Sequence, residues 1–130
     1  MAATGSFTPA DQIVVPVQGT DREFLAQQWA VEMAAALGLP VRGIHISDGT
    51  SAASNDVFRY LSTQCRKHSV PFTQAVLHAT DVVDELVNEL GPRDLVVLGT
   101  RKLAHHFHVG SVAAALVEKA PCPVQIVRLE

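Results

Sequence analysis

Asp94-Leu-Val-Val-Leu-Gly-Thr-Arg-Lys102, Gly110-Ser111 and Ala120-Pro-Cys-Pro-Val-Gln-Ile-Val-Arg128 are the stretches whose reading decides the fold of this chain. The first is a short, continuously apolar run that ends in a glycine, as expected of a parallel strand covered on both faces. A loop bearing His105, His106 and His108 follows, and the Gly-Ser step opens a helix over 111–119. The Pro-Cys-Pro stop leads into a last strand, Val124 to Arg128. A backbone turn at the carboxyl end of a strand, facing a helix N-terminus, is where an α/β sheet can hold a phosphate.

Upstream, the same alternation repeats. Ile13-Val-Val-Pro-Val17 reads as a first strand, and Thr20-Asp-Arg-Glu23 has the form of a capping box that opens a helix. In that helix Leu25, Trp29, Met33 and Leu37 recur at four-residue spacing and are expected to share its apolar face. Gly38 stops the helix and Pro40 prevents its continuation. Val41 to Ile46 is a second strand and Ser47 to Ser54 a loop. Ser54 or Asn55 caps a second helix with Val57, Phe58, Leu61 and Cys65 as its stripe. Phe72 to Leu77 is a third strand, and Thr80 caps a third helix over 81–90. Strands alternating with helices imply right-handed crossovers and an open, mostly parallel sheet with helices on both faces.

Composition sets the class. With 130 residues, 48% of them hydrophobic, the chain is long enough for one domain with its own core. We expect residues 1–11 to be an N-terminal tail and 12–130 the domain. A net charge of −3, from 10 basic and 13 acidic residues spread along the chain, argues against nucleic acid as a partner. Cys65 and Cys122 are too few for a disulfide framework. The first residues lack the build of a signal peptide, and no apolar run reaches the length of a membrane span. A cytoplasmic protein without membrane insertion is the expectation.

Motifs narrow the choice further. Val17-Gln-Gly-Thr-Asp-Arg22 is not the Gly-x-Gly-x-x-Gly of a dinucleotide site, and Gly-x-x-x-x-Gly-Lys-Ser/Thr is absent. A phospho-acceptor receiver needs acidic residues at the end of the first strand, where Pro16, Val17 and Gln18 stand instead.

What remains resembles the universal stress protein family, in element order over roughly the whole domain. The carriers are Ile13-Val-Val-Pro-Val-Gln-Gly-Thr20, the Asp94–Lys102 segment, the later Gly110-Ser111-Val112, and the Ala120–Arg128 ending. The resemblance implies an adenine-nucleotide alpha-hydrolase-like fold with five strands in the order 3-2-1-4-5. In the family's nucleotide-binding branch a Gly-x2-Gly-x9-Gly-Ser/Thr segment cradles phosphates, and an aspartate ending strand one lies by the adenosine. Carried over by position, Gly99 and Gly110-Ser111 match, whereas Lys102 stands at the second glycine and Gln18 at the aspartate. Seven residues, Leu103 to Val109, separate Lys102 from Gly110, two fewer than the pattern. The missing pair shortens the path by roughly 7 Å, and lysine adds a Cβ where glycine lets backbone approach a ligand.

The expected nucleotide contacts are therefore Gln18, Gly19, Arg42, Gly43, Gly99, Arg101, Lys102, Gly110 and Ser111, with ATP or AMP as the implied cofactor. The expected activity is a regulatory binding protein of the stress response with a degenerate nucleotide site. The alternative is a competent adenine-nucleotide energy sensor. No catalytic residue is assigned: Ser111 has no sequence-placed base, and the prolines flanking Cys122 suggest a structural role. No metal is expected, because the histidine loop contains neither carboxylate nor cysteine and a solvated loop accounts for it. His45 is read as a core or sheet-end residue. The final strand would be an edge, and the family commonly dimerises there, which makes Val124, Ile126 and Val127 the expected homodimer interface. The tail is the other cover for that edge. A transporter or another stress protein is the expected type of protein partner.

Overall fold

Ile13 and Val14 are fully buried and Val15 is 2% exposed, as a strand paired along both edges and covered on both faces must be. In the computed structural model, residues 10–18, 23–47, 55–99, 101–103, 106–108 and 111–128 are described, with backbone alone at 55, 101–103, 106–108 and 111. The elements are β1 (Gln12–Pro16), α1 (Phe24–Leu37), β2 (Val41–Ser47), a 3-10 turn (Asn55–Phe58), α2 (Arg59–Lys67), β3 (Phe72–His78) and α3 (Val82–Glu89). They continue with β4 (Asp94–Gly99), β5 (Arg101–Leu103), β6 (His106–His108), α4 (Ser111–Lys119) and β7 (Val124–Val127).

Five strands form one parallel sheet in the order β3-β2-β1-β4-β7, which is the expected 3-2-1-4-5 arrangement counted along the sheet. Ile13 stands opposite Val41 of β2 on one side and Leu95 of β4 on the other. Successive side chains of β1 enter different cores. Ile13, Val15 and Val17 pack with Ala26, Ala30 and Val31 of α1 and Phe58, Leu61 and Cys65 at α2. Val14 packs with Leu86 of α3 and Leu116 of α4. Ala10 is fully buried and the Asp11 N–H donates to the Arg93 carbonyl, so the packed part of the described chain starts ahead of β1.

At the amino ends of the strands, Asp94 ties three segments together. Its Oδ1 accepts from Gln12 Nε2 at 3.1 Å and its Oδ2 from the Gly91 N–H at 2.8 Å. A carboxylate only 8% exposed is kept there by these donors. Gly38 closes α1 in the left-handed region at φ 70°, its N–H on the Ala34 carbonyl, in keeping with the expected stop.

Three local expectations are corrected. Asp81, not Thr80, caps α3, its side chain accepting from the Asp84 N–H at 3.0 Å. Asn55 begins the 3-10 turn, and α2 is entered at Phe58 without a side-chain cap. Most consequential is α1: Leu25 and Trp29 are 52% and 42% exposed, and Leu37 is exposed as well. The face on the sheet is Ala26, Gln27, Ala30, Val31 and Ala34, with Met33 at its margin. Small residues at i, i+4 and i+8 let the helix axis approach the bulky Ile13, Val15 and Val97 of the sheet. Phe24 stacks on Tyr60 with ring centroids 4.0 Å apart, joining the starts of α1 and α2.

Replacing Ala30 by Leu should cost about 1–3 kcal/mol by overpacking. Leu25→Glu should stay within about 1 kcal/mol of the parent. Urea unfolding of the two variants measures the contrast, and the reverse ranking would refute the assignment of faces.

Candidate functional site

The sheet order reverses direction at β1. One crossover from β1 leads through α1 to β2, while β4 is reached through α3, and the α1–α2 and α3–α4 layers lie on opposite faces. Helices diverge at such a switch point and leave a crevice beyond the carboxyl ends of the two strands. In this chain those ends are Val17-Gln18 and Gly99.

Gln18 is exposed at the β1 side. Its backbone N–H donates to Oε1 of Glu23 at 2.6 Å, a short, charge-assisted bond across five residues. Glu23 is the residue that enters α1 and makes no side-chain cap bond to that helix. Thr20, the other half of the expected capping box, lies outside the described residues, as does Gly19. The carboxylate that Gln18 lacks is thus brought to the same strand end by Glu23. The Thr-x-x-Glu pattern at 20–23 points Glu23 at helix capping and carries no sign of this bond.

His45 of β2 fixes the same turn. Its Nδ1 is 2.8 Å from the Val17 carbonyl; a carbonyl only accepts, so the tautomer with a proton on Nδ1 is the one that bonds. The Val17 N–H donates to the Ile44 carbonyl at 2.8 Å, extending the ladder one step beyond β1.

On the β4 side, Gly99 ends the strand opposite Val127. The segment expected as a histidine loop is in part a hairpin: β5 and β6 pair antiparallel, with Arg101 opposite His108, Lys102 opposite Phe107 and Leu103 opposite His106. Residues 104 and 105 lie outside the described residues, as does Gly110. The hairpin starts two positions after Gly99, and Ser111 opens α4 three positions after His108. Arg101 and Lys102 therefore enter at the crevice end of β4, and the first N–H groups of α4 lack intrahelical partners, as at any helix start.

Two expected contacts are placed elsewhere. Arg42 is the second residue of β2, near the amino ends of the strands, and its Nη2 pairs with Glu89 Oε1 at 2.8 Å. Gly43 is buried beneath the 3-10 turn and α2. A Cβ there would lie 2.9 Å from Cδ1 of Phe58 and 3.1 Å from Cδ2 of Leu61. Arg42 is engaged in an ion pair, and Gly43 makes room for an aromatic ring; neither reaches the crevice.

The expected interface strand is also more occupied than its sequence suggested. Val127 is 8% exposed in the α1-side core, and Val124 packs in the α3–α4 side core. Ile126 is half-buried and Gln125 exposed. Among the described residues β7 pairs with β4 alone, so its other backbone edge has no strand partner.

Neither cysteine is a promising nucleophile. Burial pushes the Cys65 thiol up to about 11 from 9.0. Burial, and secondarily the Asp94 carboxylate, also raises Cys122. Among the described residues no group of three or more His, Cys, Asp or Glu side chains is arranged to hold a metal ion. No helix of the described residues is long and apolar enough to cross a membrane.

The architecture defines a doubly wound α/β domain with its crevice between the first and fourth strands. Residues 63–128 match the profile of the universal stress protein family. Universal stress proteins of two Mycobacterium tuberculosis strains, CDC 1551 and H37Rv, are each 31% identical over 89% of this chain and 47% of their own length. This chain belongs to the universal stress protein family. It spans about half the length of those curated relatives.

Solved structures agree on the fold. A universal stress protein from Archaeoglobus fulgidus superposes with a TM-score of 0.71 at 23% identity, over 92% of this chain and 98% of that one. A universal stress protein in complex with cAMP gives 0.74 at 23% identity, over 93% and 99%. The Archaeoglobus fulgidus protein in complex with dAMP gives 0.66 at 21% identity, over 94% and 99%.

Folding favours the neutral Cys65 thiol, so its contribution to stability is full below about pH 9 and falls as the pH rises through about 11. At pH 8 a thiol reagent should leave Cys65 unmodified in the native protein and modify it in guanidinium. Peptide mass spectrometry gives the site, and native labelling of Cys65 would contradict its burial.

Proposed function

We propose that this chain is a non-catalytic regulatory module that binds an adenine mononucleotide weakly in the crevice between β1 and β4 and works as a cytoplasmic homodimer. The observation that carries the reading is the opposite polarity of the two crevice walls. Glu23 brings a carboxylate to the β1 end, at 2.6 Å from the Gln18 N–H. The hairpin at the β4 end carries Arg101 and Lys102, and the chain has no acidic residue between Asp94 and Glu118. Hydroxyl and amine donors of an adenosine suit the first wall, and phosphoryl oxygens suit the second. The complexes of related folds with cAMP and dAMP support this ligand class.

Gln18, Gly19, Glu23, Gly99, Arg101, Lys102, Gly110 and Ser111 form the proposed contact set, without Arg42 and Gly43. The glycine-to-lysine exchange at Lys102 and the hairpin replace a backbone cradle with charged side chains, so the site is degenerate relative to the family's pattern. Phosphate recognition then rests on a few ion pairs rather than on a nest of amides. We take 12–130 as the domain and 1–11 as its tail; the burial of Ala10 and the bond from the Asp11 N–H to the Arg93 carbonyl attach the end of that tail to the domain. Regulation by binding fits the two raised thiols better than catalysis does.

Calorimetric titration with AMP and ATP should give dissociation constants in the high micromolar range, and Glu23→Ala should weaken both by about fivefold, roughly 1 kcal/mol. No heat at millimolar nucleotide would sink the nucleotide reading.

The dimer is proposed through the free backbone edge of β7, antiparallel across a two-fold axis, with Ile126 rather than Val127 as the side chain at the seam. Sedimentation should return twice the chain mass, and Ile126→Lys should give monomer with an unchanged far-ultraviolet spectrum. A dimer that survives this substitution would exclude the β7 seam.

A further inference from the structure

The Val17 carbonyl and the Gln18 N–H belong to one peptide unit, and each is held by a side chain. His45 Nδ1 lies 2.8 Å from the carbonyl oxygen, across 28 positions of sequence. Glu23 Oε1 accepts from the N–H at 2.6 Å. This is the peptide with which β1 leaves the sheet. We propose that His45 is a positioning residue of the crevice: it fixes the Val17–Gln18 peptide from β2 and so sets the Gln18 backbone and the Glu23 carboxylate that face the adenosine. This rests on the nucleotide reading above and adds to it the residue that holds the β1 wall in place.

The register of the sheet shows why β2 supplies the donor. Pairing of β1 with β2 runs from Ile13 opposite Val41 to Pro16 opposite Ile44, and ends there. Ile13 donates to the Pro40 carbonyl and Val17 to the Ile44 carbonyl, each one position before its β2 neighbour. In a parallel ladder the carbonyl of the same residue accepts from one position after that neighbour, which for Val17 is Ile46. The bond to the Val17 carbonyl comes from the side chain of His45, the residue that one more step of the register sets beside Val17.

Alternation along β2 puts that side chain on the α1–α2 side. Val41 lies in the α1–α2 core and Ile44 in the other, so His45 follows Val41 and Gly43 on one face. An aliphatic residue at 45 would continue that core and offer the carbonyl nothing. Val17 is 2% exposed, and a buried peptide oxygen without a donor is costly. Gln18, by contrast, is exposed, so water competes for its N–H once the peptide plane can turn.

The two bonds reinforce each other. A donor on the carbonyl oxygen and a carboxylate on the N–H both polarise the peptide along its own dipole, so each strengthens the other. His45 thereby acts on Glu23 through a backbone group. A purely structural histidine would behave differently: its loss would lower stability and leave the affinity of the folded protein unchanged.

The test is calorimetric titration of the full chain with AMP and with adenosine, for the parent, H45F, H45N, E23A and H45F/E23A. Hydrogen exchange of the Gln18 amide, followed by NMR without ligand, accompanies each titration. Phenylalanine keeps a ring and removes the donor, whereas the asparagine amide nitrogen restores a donor close to the place of Nδ1. His45→Phe should weaken both ligands by about fivefold, as Glu23→Ala does, and the double variant should lose no more than either single one. His45→Asn should bind within about twofold of the parent. The Gln18 amide should exchange about tenfold faster in H45F and E23A than in the parent and H45N. Parent-like affinity in H45F, additive losses in the double variant, or H45N as weak as E23A would each overturn the proposal and leave the nucleotide reading standing. Should H45F not fold, H45N decides: Gln18 exchange as fast as in E23A would overturn the proposal, and parent-like exchange with parent-like affinity would support it. Failure of the parent to bind either ligand would overturn both readings.

Discussion

Everything in this molecule depends on β1 being paired on both edges and covered on both faces. Ile13 meets Val41 and Leu95 across the sheet, while the alternation of Ile13, Val14 and Val15 divides the interior into two cores. The run contains no polar side chain from Ile13 to Val17, so it cannot serve as a half-solvated strand. Once β1 is central, the chain must leave it in one direction toward β2 and return on the other side as β4. The crevice is the geometric remainder of that reversal.

The frame was legible because it rests on apolar runs and glycine stops, which constrain backbone directly. The strand positions, the helix over 111–119 and the Gly38 cap follow from such signals, whereas the strand order is what the family resemblance implies. The face of α1 was not legible. The helix is apolar on two adjoining sides, Leu25–Trp29–Leu37 and Ala26–Ala30–Ala34, and side-chain size alone favours the wrong one. The closeness of helix to sheet selects the small residues, and that distance is a tertiary quantity. Val57, Phe58, Leu61 and Cys65 offered no such ambiguity at α2 and pack as their spacing predicts.

The site shows the same division. Gln18 and Gly99 lie at the strand ends where the motif pattern puts them. Arg42 and Gly43 have the right proximity in sequence, but Glu89, 47 residues away, and Phe58 claim them. Such long-range partners leave no mark in a local window. Glu23 is hidden in a different way: its Thr-x-x-Glu context describes a capping role, while its bond is to the Gln18 N–H. The hairpin could not be read from the sequence, because 101–108 contains no glycine, proline, asparagine or aspartate to signal a tight turn.

Gln12 and Asp94, which join β1 to β4, are 82 positions apart. Closing so long a loop is entropically costly, and pairing at that separation slows folding. The two walls of the crevice are therefore remote in sequence and meet only where β1 and β4 are paired. A small molecule spanning β1 and β4 would recognise the finished sheet and no earlier state, so it would retard unfolding of the whole domain as well as occupy its surface. For a ligand held across these two strands, occupancy and folding would be linked equilibria.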